Sequence, residues 1–245
     1  MLLIGLDAAT DRKLFGYACG DLRRDTVHIE CAGVLRISNR LDALGTEVLP
    51  RLRRAKRALI AIDAPLGWPE GMGKALMSHQ AGGLIEDEPN LMFRRETDRH
   101  IKRLLGKQPL EVGANLIART AHAALRTLDE IRVATGASIP LAWDVDFEGF
   151  AAIEVYPAAT LRAWRCTFRG YREANGRSVR RKIADTVASG ITPLQDYASA
   201  PLDAFDACLC LLAARDFLLG QAAPPGSSES ARKEGWIWVR KPDPR

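Results

Sequence analysis

The sequence has no long apolar run, no large excess of one charge and no cysteine pattern typical of a metal site or a disulfide framework. No stretch approaches the ~20 apolar residues of a membrane span. The net charge of +5 is a weak field that permits a nucleic-acid partner without demanding one. The five cysteines are odd in number and form no C-x-x-C pair, which favours buried thiols in a reducing compartment.

The opening ten residues contain no basic segment before the first acidic residue, so they predict a core strand rather than a signal peptide. We therefore expect a cytoplasmic protein without a membrane partner. Apolar residues make up 47 % and charged residues 27 %, which is ordinary for a globular protein and excludes a disordered or collagen-like chain. We expect one domain over residues 1–245 with an insertion at about 70–110.

The apolar patterns predict an α/β fold. Strand patterns at 2–6, 14–19 and 27–34 have short connections, which favours an antiparallel meander. The remaining predicted elements are a helix at 41–54 with Asn39 as N-cap, strands at 58–62, 151–155 and 236–239, and helices at 115–133, 157–164, 179–188 and 202–219. Residues 169–181 predict mainly a polar, basic loop. The sequence therefore predicts a mixed sheet with helices on its faces.

Four aspartates lie next to or within apolar segments, where an unpaired carboxylate is costly. Asp7 and Asp63 each follow an apolar strand pattern directly. Asp203 and Asp206 lie in an apolar helix, and their i, i+3 spacing places them on one face. If strands 2–6 and 58–62 are parallel neighbours, Asp7 and Asp63 meet at one sheet edge, where the late helix could bring its pair.

Four carboxylates are a ligand set for a hard divalent cation, Mg²⁺ or Mn²⁺, rather than for zinc. Two such ions ~4 Å apart would hold the attacking water and the leaving oxygen of a phosphodiester. Each aspartate also has a simpler interpretation. Asp7 could cap a turn, Asp63 could begin an Asx turn, and Asp203 could be an ordinary acidic residue of a first helical turn.

These residues carry a resemblance. The order strand, Asp, hairpin, helix, strand, Asp and a late Asp-x-x-Asp-Ala helix resembles the ribonuclease H-like superfamily, and 202–213 is similar to the last catalytic helix of RuvC-type resolvases. The chain more closely resembles the domain of unknown function 429 family, described as predicted RNase H-like nucleases. The matching pieces are GLD (5–7), IDAPLGWP (62–69), RETDR (95–99), EVYPA (154–158), DAFDA (203–207) and EGWI (234–237).

The resemblance implies a five-stranded ribonuclease H-like sheet and a metal-dependent nuclease of DNA or RNA. Asp7 would bridge two metals, Asp63 would bind one, and Asp203 with Asp206 would complete the sites. Glu154 would either point into the same cleft, as a further catalytic carboxylate, or be a charge-paired strand residue. A homodimer is an assembly that such a chain could form.

The segment from Arg94 to Asp98 matches a family motif that the superfamily does not explain. Arg94, Arg95, Thr97 and Asp98 are candidates for substrate binding, with the two arginines as a phosphate-binding pair. The alternative is a solvated helix face.

Two other functions stay open. An actin-like ATPase or sugar kinase shares this core, but the turn at 5–10 lacks the second glycine for close approach to a phosphate. A protein that binds or acts on a small phosphorylated molecule, without nuclease activity, would use the same fold and the unusual segment 70–110.

Overall fold

The computed structural model of the chain describes residues 1–10, 15–35, 40–113, 115–226 and 229–242. The strands are β1 (Leu2–Asp7), β2 (Phe15–Arg23), β3 (Thr26–Leu35), β4 (Ala58–Asp63), β5 (Phe150–Glu154) and β6 (Ile191–Thr192). The helices are α1 (Arg40–Arg54), α2 (Glu70–Leu76), α3 (Pro89–Phe93), α4 (Glu96–Leu105), α5 (Asn115–Thr135), α6 (Pro157–Ala163), α7 (Arg177–Thr186), α8 (Leu202–Leu218) and α9 (Glu229–Glu234). Leu14 and the predicted N-cap Asn39 lie outside the described residues.

The strands form one mixed sheet in the order β5-β4-β1-β2-β3-β6. β1, β2 and β3 are an antiparallel meander, whereas β4 runs parallel to β1, and β5 runs parallel to β4. This is the mixed sheet with an initial antiparallel meander that the sequence predicts, with six strands instead of the five that the resemblance implies. The sixth strand, β6, was not predicted, because two residues are too few to show a strand pattern.

Helices cover both faces of the sheet because β1 and β4 are apolar on both sides. Leu3 and Leu59 face one layer of the core, which includes the buried residues of α8. Ile4 and Ile60 face the other layer, with residues of α1 and α5. Successive residues of a strand alternate between the two faces, so each strand contributes to both layers.

Two glycines let α8 lie unusually close to the sheet. A Cβ atom on Gly5 of β1 would overlap the carbonyl oxygen of Ala207, and one on Gly16 of β2 would overlap that of Asp203. The absence of side chains at these positions therefore sets the distance between the first turns of α8 and the end of β1.

The predicted helical insertion after β4 contains α2, α3 and α4. The segment 236–239, predicted as a strand, makes one parallel bridge beside β5, between Glu154 and Ile237. Among the helices that the structure describes, none has both the length and the apolar character needed to cross a bilayer. The division of the chain into domains stays a prediction.

Candidate metal centre

Asp7 and Asp63 lie side by side at the carboxyl ends of β1 and β4. The parallel register pairs these two residues directly, which places their backbones about 4.8 Å apart. Alternation along each strand puts Asp7 on the face of Leu3, and Asp63 on the face of Leu59, so both carboxylates belong to the side covered by α8. The backbone therefore places Asp7 and Asp63 next to each other, as the sequence predicts.

The first turns of α8 bring the second pair of aspartates to the same place. Asp206 is fully buried, while Asp203, one turn earlier, is partly exposed. The carboxylate of Asp7 interacts electrostatically with Asp63, Asp206 and Asp203. We call Asp7, Asp63, Asp203 and Asp206 the acidic cluster.

Burial and mutual repulsion make these carboxylates hard to ionise. Burial, followed by the charges of Asp63 and Asp206, raises the pKa of Asp7 well above its ordinary value. Burial, together with the charge of Asp206, raises the pKa of Asp63 to about 8. Burial also raises the pKa of Asp206, although Arg172 and Tyr171 partly offset the shift. A cation that binds in this cluster would therefore displace protons from these carboxylates, and its charge would favour their ionised form.

One guanidinium group reaches the acidic cluster. Arg172, in the loop between α6 and α7, donates from Nε to Oδ2 of Asp206 at 3.0 Å, and its Nη2 donates to the same oxygen. The other oxygen of this carboxylate, Oδ1, is buried and has no hydrogen-bond partner among the described residues. Thus Oδ2 of Asp206 is paired, whereas Oδ1, as far as the described residues show, stays available to a ligand, and the nearby Tyr171 hydroxyl also lowers the pKa of this carboxylate.

The donor set fits a hard divalent cation, but its arrangement is not preformed. In the ranges that the structure describes, no three His, Cys, Asp or Glu side chains already surround a metal position. The oxygen donors themselves are those that Mg²⁺ and Mn²⁺ prefer, and the unpartnered Oδ1 of Asp206 offers a ligand atom. Asp206 Oδ2, however, is engaged by Arg172. A cation would fit once this ion pair opens.

Glu154 lies on the other face of the sheet from the acidic cluster, although its charge still contributes to the raised pKa of Asp63. In the parallel register of β4 and β5, Glu154 pairs with Ile62, and Ala152 pairs with Ile60. Ile62 and Ala152 belong to the layer opposite α8, so strand alternation turns Glu154 to that side as well. Of the two alternatives in the sequence analysis, the structure shows the charge-paired strand residue.

Arg95 is the partner of Glu154, and both are buried. Arg95 donates from Nη2 and Nη1 to the two carboxylate oxygens of Glu154 at 2.7 and 2.8 Å. It also donates from Nη2 to Asp98 Oδ1 at 3.0 Å and from Nη1 to the carbonyl oxygen of Glu234 at 3.2 Å. The amide of Leu66 donates to Glu154 Oε2 at 3.0 Å. We call Arg95, Asp98 and Glu154 the Arg95 cluster.

The expected substrate contacts of the 94–98 segment differ from what the structure shows. The side chains of Arg95 and Asp98 are each 1 % exposed, so they form neither a solvated helix face nor an accessible phosphate site. Thr97 is also buried, and its hydroxyl accepts a hydrogen bond from the amide of Ile237 at 2.8 Å. Arg94 remains partly exposed, and its Nε donates to Glu111 at 3.0 Å. The charges predicted a solvent-facing surface because their partners, 59 to 140 positions away, are invisible to local patterning.

The family model described as "Protein of unknown function (DUF429)" matches residues 7–230. The chain belongs to this DUF429 family. A search of curated proteins finds no match. Among solved structures, the chain is similar to T. thermophilus RuvC in complex with Holliday junction substrate, with 12 % identity and a TM-score of 0.39, over 92 % of this chain and 99 % of that one.

In this DUF429 chain, four of the six sequence pieces that carry the resemblance meet at the Arg95 cluster. Leu66 comes from the piece 62–69, Arg95 and Asp98 from 95–99, Glu154 from 154–158, and Glu234 from 234–237. The cluster ties the loop after β4 and the start of α4 to the end of β5 and the C-terminal segment. The 95–99 motif therefore has a structural explanation.

Sequence reasoning missed Arg172 and Tyr171 as neighbours of the acidic cluster. Both lie in the segment 169–181, which the sequence predicts mainly as a polar loop. Tyr171 is buried, and its ring packs against Phe205 of α8 with the centroids 6.3 Å apart. In the sequence, an aromatic residue inside an otherwise basic stretch is the signal that this loop turns toward the core.

Proposed function

We propose that the chain is a metal-dependent nuclease that hydrolyses phosphodiester bonds of DNA or RNA with two divalent cations, Mg²⁺ or Mn²⁺. The observation that carries this proposal is the half-satisfied Asp206. Its carboxylate is fully buried beside Asp7, and its Oδ1 has no partner among the described residues. A buried acceptor left open in a cluster of like charges is costly unless a cation binds there.

Asp7 is the carboxylate best placed to bridge two cations. It interacts with each of the three other aspartates, and it lies between Asp63 on the neighbouring strand and the pair on α8. Asp63 would hold one cation from the strand side, and Asp206 with Asp203 would hold the second from the helix side. When bound, the cations would supply the charge that activates a water molecule and stabilises the leaving oxygen.

The scaffold suits this task because the four carboxylates come from rigid elements. Asp7 and Asp63 end two hydrogen-bonded strands, and α8 rests directly on Gly5 and Gly16. Because strands and a packed helix fix their backbones, the four carboxylates would keep their relative positions when a cation binds. The partly exposed Asp203 and Asp63 leave an approach for a phosphate from solvent.

Cleavage assays with purified protein test the proposal. End-labelled single-stranded, duplex and branched DNA and RNA are incubated with Mg²⁺ or Mn²⁺ and, in parallel, with a chelator. We expect cleavage of at least one substrate with metal only, and a loss of about a thousandfold in Asp206→Asn, which corresponds to about 4 kcal/mol of transition-state stabilisation. Asp129→Asn, an exposed aspartate of α5, is the matched control and should cleave like the wild type.

The assay also separates the nuclease from the alternative, a protein of the same fold that binds a small phosphorylated molecule. If no polynucleotide is cleaved with either metal, the nuclease proposal fails. Thermal stabilisation by nucleotides or sugar phosphates, lost in Asp206→Asn, would then favour the alternative. The homodimer stays a prediction, which the mass in solution tests.

A further inference from the structure

The ion pair between Arg172 and Asp206 joins an exposed side chain to a buried one. The side chain of Arg172 is 56 % exposed, whereas that of Asp206 is 0 % exposed. The guanidinium therefore reaches from solvent onto a buried carboxylate. Arg95, by contrast, is enclosed together with its partners. An exposed guanidinium can return to water, which an enclosed one cannot, but its departure leaves the buried carboxylate without a counter-charge unless a cation takes its place.

The charge of Arg172 acts on the whole acidic cluster and not on Asp206 alone. It lowers the pKa of Asp206, Asp63, Asp203 and Asp7, in each case against the larger effect of burial. A single guanidinium group thus faces four carboxylates. One positive charge offsets only part of this repulsion, and within the described ranges it leaves Oδ1 of Asp206 without a hydrogen-bond partner.

The backbone next to Arg172 is anchored, although the side chain is exposed. Arg180 of α7 donates from Nη1 to the carbonyl oxygen of Tyr171 at 2.7 Å, and from Nε to that of Ala198 at 2.7 Å. The Tyr171 ring is held against Phe205. The loop therefore presents Arg172 at a fixed point beside the cluster, while the guanidinium can exchange partners.

We propose that Arg172 is an internal counter-ion, which takes the position of a divalent cation on Asp206 and releases that carboxylate when the cation binds. This inference rests on the proposed function, since it requires that the acidic cluster binds a metal. It assigns Arg172 a positioning role: the residue keeps the metal-free cluster folded and sets the affinity for the metal by competing with it.

Titration calorimetry with Mn²⁺ tests the competition directly, without reference to activity. The proteins are the wild type, Arg172→Gln, Arg172→Lys and the control Arg169→Gln, an exposed arginine of the same loop. We expect Arg172→Gln to bind Mn²⁺ about tenfold more tightly, a difference of about 1.4 kcal/mol. Arg172→Lys keeps the charge without the paired donors, so its affinity for Mn²⁺ should lie between those of the wild type and Arg172→Gln. Arg169→Gln should match the wild type.

Thermal unfolding gives a second measurement. In a chelator, Arg172→Gln should melt at a lower temperature than the wild type, because Asp206 then lacks its counter-ion. Saturating Mn²⁺ should remove most of that difference, since binding to the folded state stabilises it in proportion to affinity. A stabilisation by Mn²⁺ no larger in Arg172→Gln than in the wild type would count against competition.

The outcomes separate the inference from the proposed function. If the wild type and Arg172→Gln bind Mn²⁺ equally, or if the variant binds more weakly, the counter-ion role is wrong while the metal site stands. If neither binds Mn²⁺, the proposed function fails and the inference fails with it. Should Arg172→Gln not fold, the same comparison applies to Arg172→Lys.

Discussion

The chain buries charge in two places near the same end of the sheet, and the two differ in how that charge is balanced. In the Arg95 cluster, every oxygen of Glu154 and Asp98 accepts a hydrogen bond, and the guanidinium is as buried as its partners. In the acidic cluster, as far as the described part of the chain shows, four carboxylates share one half-exposed guanidinium, and Asp206 keeps an unpartnered oxygen. A closed network of this kind supports structure, whereas an open one leaves an oxygen atom to which a ligand could bind.

The largest expected effect is in the Arg95 cluster. Arg95→Ala leaves Glu154 and Asp98 buried without their counter-ion, so we expect a loss of about 3–5 kcal/mol in the free energy of unfolding. Urea denaturation measures it. Arg94→Ala removes the neighbouring, partly exposed pair with Glu111 and should cost no more than about 1 kcal/mol. Equal losses in both variants would contradict the distinction between the two clusters.

The next effect concerns the contact that builds the acidic cluster. Gly5→Ala places a methyl group against the backbone oxygen of Ala207, which cannot rotate away. We expect α8 to shift and the free energy of unfolding to fall by about 3 kcal/mol.

Gly45→Ala is the matched substitution for Gly5→Ala, because nothing lies within 4 Å of the added atom. In the helix α1 it should stabilise the protein by about 0.5–1 kcal/mol. If Gly5→Ala is as well tolerated as Gly45→Ala in chemical denaturation, α8 does not rest on β1 as described.

The acidic cluster should also make stability depend on pH in the absence of metal. The pKa of Asp63 is about 8 in the folded protein and near its ordinary value when unfolded, so the folded state binds the proton more tightly. Its contribution is therefore present below about pH 4 and is lost as the pH rises to about 8. We expect the wild type in chelator to lose on the order of 1–2 kcal/mol more than Asp63→Asn over this interval. Denaturation curves at several pH values that stay parallel for both proteins would refute this expectation.

The smallest effect is expected at Asp203. This residue is partly exposed in the first turn of α8, where a carboxylate is weakly favourable. Asp203→Asn loses that interaction but relieves repulsion with Asp7, so the stability should change by less than about 0.5 kcal/mol. Thermal melts in chelator are the measurement, and a large loss would show that Asp203 is a structural residue like those of the Arg95 cluster.

The strands and the helix that carry the acidic cluster were predictable, because each forms from the apolar pattern of its own sequence segment. The apolar runs before Asp7 and Asp63 are typical of strands covered on both faces, and a helix that is apolar nearly all round, such as α8, has to be buried. Once β1 and β4 are adjacent and parallel, their ends coincide. The meeting of the four aspartates therefore follows from hydrophobic patterning together with a short list of topologies.

The partners of the charged residues were not predictable in the same way. Whether Glu154 faces α8 depends on the register of β5 against β4, which the sequence of β5 alone does not state. Arg95 has the composition of a surface residue, and its burial depends on Glu154, 59 positions later. Arg172 lies in a loop, where no periodicity relates a side chain to a face of the fold.

The alternation along β5 has a consequence for how such a fold can change. Glu154 and Val155 are adjacent in the chain yet belong to opposite sides of the sheet, so a slip of β5 by a single residue would exchange them. The glutamate would then become a fifth carboxylate beside Asp63, and Arg95 would be left buried with only Asp98. Inserting or deleting one residue before β5 is thus a far more drastic alteration than replacing any one of its side chains. It would move a negative charge from the buried ion pair with Arg95 to the face of the sheet that carries the acidic cluster.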